Sequence, residues 1–210
     1  MILSRKNKVA KILVFLTGIF LLISCNKSAS DLPYIGVPAQ DKTGKTIQHK
    51  IADFAFQNQD DKLINSATVK GKVYVADFFF TSCPTICPTM KTQLLRVYEK
   101  YKTNNNFAIL SHTIDPEHDS LAVLKGYKER LIGDAPNWHF LRAEKMYTHT
   151  LAQKQYFVSA MEDKTAIADG GFVHSGAFVL IDKNGHIRGV YDGTKEKEVD
   201  KLMSDIDLLF

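Results

Sequence analysis

Cysteine is scarce in this sequence: there are three in 210 residues, at positions 25, 83 and 87. That scarcity excludes a small scaffold stapled by several disulfides. No internal repeat or low-complexity block is visible. A surplus of charge is also missing where a globular domain would show it. The net charge is +4, but Arg5, Lys6, Lys8 and Lys11 all fall in the first 24 residues, which hold no acid. The remainder is neutral and carries no electrostatic footprint for nucleic acid. A membrane-spanning run is lacking too. The apolar stretch Ile12 to Ile23 is shorter than the roughly 20 residues that cross a bilayer.

What the N-terminus does hold is a basic segment, Arg5 to Lys11, followed by that short apolar stretch. This is the pattern of a signal peptide. It ends at Leu22-Ile23-Ser24-Cys25, which resembles the bacterial lipobox. An acylated sulfur at the edge of an apolar run keeps a cleaved protein on the membrane. The alternative is a short uncleaved anchor with an incidental cysteine. The expected organisation is therefore a signal peptide over 1–24, a lipid anchor at Cys25 with a polar tether to residue 48, and a folded domain over 49–210. The expected location is the membrane surface facing the periplasm or extracytoplasmic space. With Cys25 spent on the anchor, the domain keeps only Cys83 and Cys87. Two cysteines so close together suggest a site.

The pattern of the domain alternates between strand and helix. Ile51, Phe54 and Phe56 mark a first strand, and Leu63-Ile64 resumes extended structure after a turn. Lys72 to Phe80 is a nearly continuous β-branched and aromatic run, suited to a central strand buried on both faces. Pro88 to about Lys102 predicts a helix with Leu94, Val97, Tyr98 and Tyr101 on one stripe. A strand over 107–114, a helix over 119–131, a short strand over 138–141 and a helix over 145–156 follow. Lys183-Asn184-Gly185 carries the Asn-Gly hairpin signal between strands at 177–182 and 186–191. Val199, Leu202, Met203 and Ile206 place a last helix. A parallel core with a late antiparallel edge is an α/β fold. A thioredoxin-like architecture with an N-terminal β extension fits this order.

Chemistry concentrates in Phe80-Thr81-Ser82-Cys83-Pro84-Thr85-Ile86-Cys87-Pro88-Thr89-Met90. This segment leaves the carboxyl end of the buried strand, where open α/β sheets bind ligands. Each cysteine precedes a proline, which biases it away from helical geometry. Pro88 suits the first helical position, making Cys87 the N-cap and leaving Cys83 in the loop. Both sulfurs then lie near the positive helix end, which favours thiolate. A plain disulfide is the bland alternative. A third group would point to a metal, and the candidate is His174 in Gly170-Gly171-Phe172-Val173-His174-Ser175-Gly176. Two thiolates with one imidazole suit Cu(I) and could hold Cu(II). Met90 is expected in the core. Asp115 and Asp119 are expected to make a turn and an N-cap.

These residues together resemble the Sco/SenC family. Thr81 to Met90 is similar to its T-x-C-x-x-x-C-P-x-M signature, and Thr113-Ile114-Asp115-Pro116-Glu117-His118-Asp119 is similar to its S-x-D-P-x-x-D segment. The 87-residue interval from Cys87 to His174 is typical of it. One departure is Val173, where many members carry Asp. The resemblance implies a thioredoxin fold, copper held by Cys83, Cys87 and His174, and a metallochaperone that matures the copper centre of cytochrome c oxidase subunit II. The competing reading is a thiol-disulfide reductase that keeps the oxidase's copper-site cysteines reduced through a Cys83–Cys87 redox pair. A thiol-disulfide reductase partner is compatible with either. His174 and the C-x-x-x-C spacing favour metal, since a dedicated reductase normally shows C-x-x-C. A peroxidase on the same fold is disfavoured because no proline stands at the required place before Thr81.

The anchor has a direct test. Cys25→Ser is expected to abolish lipidation and leave an unprocessed or mislocalised precursor. Unchanged membrane attachment and mature mass in that variant would refute the lipobox reading.

Overall fold

The computed structural model describes residues 28–210. The expected signal peptide, Cys25 and the first two residues after it lie outside the described residues. In chain order the strands are β1 (Ala39–Gln40), β2 (Thr46–Ile47), β3 (Ala55–Asn58), β4 (Leu63–Asn65), β5 (Val73–Phe79), β6 (Phe107–Thr113), β7 (Trp138–Arg142), β8 (Ala160–Glu162), β9 (Phe172–His174), β10 (Ala177–Ile181) and β11 (Ile187–Asp192). The helices are α1 (Cys87–Tyr101), α2 (Leu121–Leu131), α3 (Lys145–Lys154) and α4 (Glu196–Asp207).

β5 and β6 are buried at every residue because helices cover both faces, which is why their sequences are continuous rather than alternating. They pair in parallel from Val73–Phe107 to Phe79–Thr113, and β6 pairs in parallel with β7. β10 joins the other side of β5 antiparallel and turns back into β11. The main sheet runs β11-β10-β5-β6-β7-β3-β4. This is the thioredoxin-like α/β architecture that the element order predicts. α1 lays Met90, Leu94, Val97, Tyr98 and Tyr101 into the core, the expected stripe plus Met90.

The main compact unit runs from Leu32 to Phe210, so part of the segment read as tether belongs to it. The Arg188 guanidinium donates to the carbonyls of Leu32 at 2.8 Å and Pro33 at 3.1 Å, and pairs with Asp182 at 3.1 Å. Ile35 bridges Ile187, and β1 and β2 form a short exposed hairpin. The contacts use backbone carbonyls of the early segment, which leave no mark in its sequence. Two further differences concern caps. α1 begins at Cys87 itself, with Ile86 in the cap position and no side-chain cap. Proline fits one residue further in than expected because the N–H groups of the first helical turn have no intrahelical acceptor. α2 is capped by Ser120, whose hydroxyl accepts from the Val123 N–H at 3.3 Å. Asp119 turns inward instead.

Two polar groups lie deep in the sheet. Asp77 on β5 accepts from Lys91 of α1 at 2.5 Å and from the Ser111 hydroxyl. Trp138 Nε1 donates to Ser111 at 2.9 Å, and Lys91 Nζ stands 4.0 Å from the Phe79 ring centre. His112 is fully buried between Phe78 and Phe56. Burial pushes its pKa down to about 4.

The depressed His112 gives a pH signature with a definite sign. The unfolded chain takes up this proton at about pH 6.5, whereas the folded chain resists to about 4. Its stability contribution is therefore intact above about 6.5 and lost progressively as the pH falls toward 4. The loss at pH 4 should approach about 3 kcal/mol. Urea midpoints across this range should fall in the native chain and fall less in His112→Gln; equal slopes would exclude His112 as the cause.

Candidate metal centre

The carboxyl end of β5 delivers the chain into Thr81-Ser82-Cys83-Pro84-Thr85-Ile86, and α1 starts directly after. The Met90 N–H makes the first intrahelical bond, to the Ile86 carbonyl at 3.0 Å. Cys83 therefore sits over the helix N-terminus, with the backbone N–H groups of Thr85 and Cys87 directed at its sulfur. Both thiols are free and buried, at 7% and 2% exposure.

The third member arrives on a hairpin that the sequence reading missed. β8 and β9 pair antiparallel, with Ala160 opposite His174 and Met161 opposite Val173. Three-residue strands are too short to show periodicity, but Gly170-Gly171 was the available signal. Both glycines adopt left-handed backbone, at φ of 73° and 86°. A Cβ on Gly170 would also stand 3.0 Å from the Phe80 ring. Phe80 packs on Phe172 at 4.9 Å between ring centres and meets the His174 ring edge-on at 5.5 Å. Thr85 Oγ1 donates to Asp169 at 3.0 Å, tying the cysteine loop to the hairpin.

The result is a compact donor set. His174 Nε2 lies 3.6 Å from Cys83 Sγ and 3.7 Å from Cys87 Sγ. All three ligand atoms lie within 4.8 Å of one another. A first-row ion bound at about 2.3 Å from sulfur and about 2.0 Å from nitrogen, with angles between tetrahedral and trigonal, separates the nitrogen from each sulfur by about 3.5 to 3.7 Å. Both observed nitrogen–sulfur spacings match, so the site fits such an ion. Of the sequence candidates, Cys83, Cys87 and His174 come together here. Met90 is buried in the core, at 0% exposure. Val173 is half-exposed and, by strand alternation, faces away from His174. His174 Nδ1 is buried without a hydrogen-bond partner among the described residues. The ring is thus held by packing against Phe80 rather than by a carboxylate.

The two thiols differ electrostatically. Cys83 is drawn well below the ordinary thiol range, chiefly because the Cys87 thiol donates to it. His174 and the two backbone N–H groups add to the effect against opposing burial. The same hydrogen bond and burial push Cys87 up, while the Lys91 ammonium opposes them. The first proton therefore leaves Cys83, and the pair behaves as a thiolate holding a neighbour's proton.

A protein-family model described as SCO1/SenC matches residues 42–208. The chain belongs to the SCO1/SenC family. It is 29% identical over 164 residues to the SCO1 protein homolog of Bacillus subtilis (strain 168), covering 76% of this chain and 82% of that one. A crystal structure of a SCO1/SenC family lipoprotein from Bacillus anthracis str. Ames superposes with a TM-score of 0.70 at 27% identity, covering 77% of this chain and 95% of that one. BsSco matches with a TM-score of 0.67 at 27% identity, over 84% of this chain and 98% of that one. It is described as a member of the Sco family of cytochrome c oxidase assembly proteins, with a disulfide switch.

The asymmetry of the thiols has a kinetic consequence. In the metal-free reduced protein, Cys83 should alkylate before Cys87, at a rate nearly flat from pH 8 to pH 6. In Cys87→Ala the principal hydrogen bond is gone, so the Cys83 rate should fall at least fivefold over that interval. Peptide mass analysis of iodoacetamide-treated protein reads both. Faster labelling of Cys87 would reverse the assignment.

Proposed function

We propose that this protein is a copper metallochaperone that binds copper through Cys83, Cys87 and His174 and assists maturation of the copper centre of cytochrome c oxidase subunit II. The observation that carries the reading is the nearly equal approach of His174 Nε2 to both sulfurs, at 3.6 and 3.7 Å. Activating one thiol for disulfide exchange needs an imidazole at that sulfur alone, whereas near-equal approach to both suits a shared ion. Two soft sulfurs favour Cu(I), and the imidazole makes the set acceptable to Cu(II). Family membership and the oxidase-assembly description of BsSco support the biological direction. Copper is cargo here, and the chain's own residues decide when it is held. Both sulfurs must be thiolates and the imidazole neutral for the set to be complete. Pre-ionised Cys83 lowers the proton cost of loading.

The membrane side of the reading rests on the sequence and on a relative. The lipobox-like Cys25 and the lipoprotein description of the Bacillus anthracis relative support a lipid-anchored protein facing the extracytoplasmic space. The partner is then the apo copper site of subunit II on the same membrane, and a thiol-disulfide reductase would keep the cysteine pair loadable. Nucleic acid is not among the partners, given a neutral domain.

A second reading, reduction of the oxidase's copper-site cysteines, is favoured by the readily ionised Cys83 beside its proton-holding neighbour. The two readings part at His174. His174→Ala leaves both thiols in place and removes only a secondary contribution to the acidity of Cys83, so a reductase would keep most of its function. A chaperone should lose copper, Cu(II) above all, and fail to metallate the oxidase. Oxidase copper content in cells carrying His174→Ala, Cys83→Ala or Cys87→Ala decides this; normal assembly with His174→Ala would sink the chaperone reading.

Redox state should gate the cargo as well. A Cys83–Cys87 disulfide has no thiolate to offer, so the oxidised protein should bind copper at least tenfold more weakly, about 1.4 kcal/mol. Equal affinities measured by competition with a copper chelator would refute the thiolate site.

A further inference from the structure

We propose that Asp119 is a positioning residue for the Cys83 thiolate, acting through Thr81. The segment around it, Thr113 to Asp119, is part of the family resemblance and has no assigned work in the metal site. Asp119 is fully buried, and its carboxylate is engaged from two directions. Oδ2 accepts from the Thr81 N–H at 3.1 Å and from the Thr113 hydroxyl at 2.5 Å. Oδ1 accepts the Thr81 hydroxyl in a short bond. One carboxylate thus ties the exits of β5 and β6 together.

The place of this clamp explains its importance. The ladder between β5 and β6 ends with the Ile114 N–H donating to the Phe79 carbonyl at 2.9 Å. Beyond it the two chains diverge, one into the cysteine loop and the other toward α2. The Thr81 N–H would have no ladder partner there, and Asp119 supplies one. Between Thr81 and the first bond of α1, the one further backbone–backbone bond among the described residues is from the Cys83 N–H to the Phe80 carbonyl at 3.3 Å. Thr81 stands two residues before Cys83, so the clamp sets where the loop leaves the sheet. Buried charge-assisted bonds from a carboxylate are strong and directional, and this one acts where the loop leaves the sheet.

The clamped arrangement is the dithiol one, with His174 against both sulfurs. A disulfide needs Cβ atoms about 3.8 Å apart and a fixed torsion, and a clamped Thr81 limits how the loop can adjust to reach them. Holding Thr81 therefore favours the dithiol, metal-ready form over the disulfide. The proposal rests on the reading of Cys83 as a thiolate ligand, but its test does not need copper. Equilibration with glutathione measures it: Cys83 and Cys87 give up two electrons and two protons to form one disulfide, and one oxidised glutathione is cleaved to two glutathione thiols.

The experiment uses the full chain in detergent and compares wild type, Thr81→Val and Thr81→Ser. Valine is close to isosteric and keeps the backbone N–H, so the fold is retained, while the hydroxyl bond to Asp119 is lost. Thr81→Val should shift the equilibrium at least tenfold toward disulfide, about 30 mV, and weaken copper binding by the reduced chain about tenfold. Thr81→Ser should stay within threefold of wild type on both readings. A merely structural role would lower the urea midpoint of Thr81→Val and leave its glutathione equilibrium within twofold of wild type. That result, or a shift toward dithiol, overturns the proposal. Should wild type itself bind no copper while the glutathione shift appears as expected, the chaperone reading falls and the positioning role stands.

Discussion

An imidazole has to be held against two sulfurs that its own segment of chain cannot reach, and the rest of the site follows from that constraint. Cys87 and His174 are 87 residues apart in sequence, yet Nε2 stands 3.7 Å from Sγ. The sheet makes this possible. β10 pairs with β5, so the segment that enters β10 runs past the exit of β5. The β8–β9 hairpin then covers the cysteine loop, and Gly170 allows the close approach to Phe80 that brings it down. Phe80 is the common surface, touching both Phe172 and His174. Packing against an aromatic ring, rather than a hydrogen bond to Nδ1, aims the histidine.

The electrostatics of the site are built into the same few residues. The start of α1 directs backbone N–H groups at Cys83, and Cys87 adds its own thiol hydrogen. One sulfur is thereby prepared as an anion while the other keeps a proton until a metal or an oxidant takes its place. One turn further along α1, Lys91 is held by Asp77 and Ser111. Its ammonium favours the charged form of Cys87 from below. A buried ion pair contributes little net stability, so its clearer consequence is a fixed positive charge under the second thiol. The loop above is restrained at one end by the helix, at the other by Asp119, and from the hairpin side by the bond from Thr85 to Asp169.

Much of the fold was legible in the linear pattern, because its signals are local. The uninterrupted β-branched and aromatic run became β5, the 94-97-98-101 stripe became the buried face of α1, and Asn184-Gly185 marked the late hairpin turn. The cysteine pair was legible for the same reason: both residues lie on one loop at a strand end. What was not legible has long-range causes. Arg188 drew residues 32 and 33 into the domain through their carbonyls, which any residue carries. The β8–β9 strands are too short to show a period. Asp119 read as a helix cap because an acid before a helix normally is one, and Ser120 took that place.

Sequence alone determined the family, the α/β order of elements, the two thiols at the end of the central strand and His174 as the candidate third ligand, since each rests on residue type and spacing along the chain. Only the tertiary structure decided that Nε2 rather than Nδ1 faces the sulfurs, that Cys83 and not Cys87 ionises first, and that Asp119 reaches back to Thr81. These are matters of direction and distance between segments, set by how the strands pair and how tightly the hairpin packs, and a one-dimensional spacing carries no information about either.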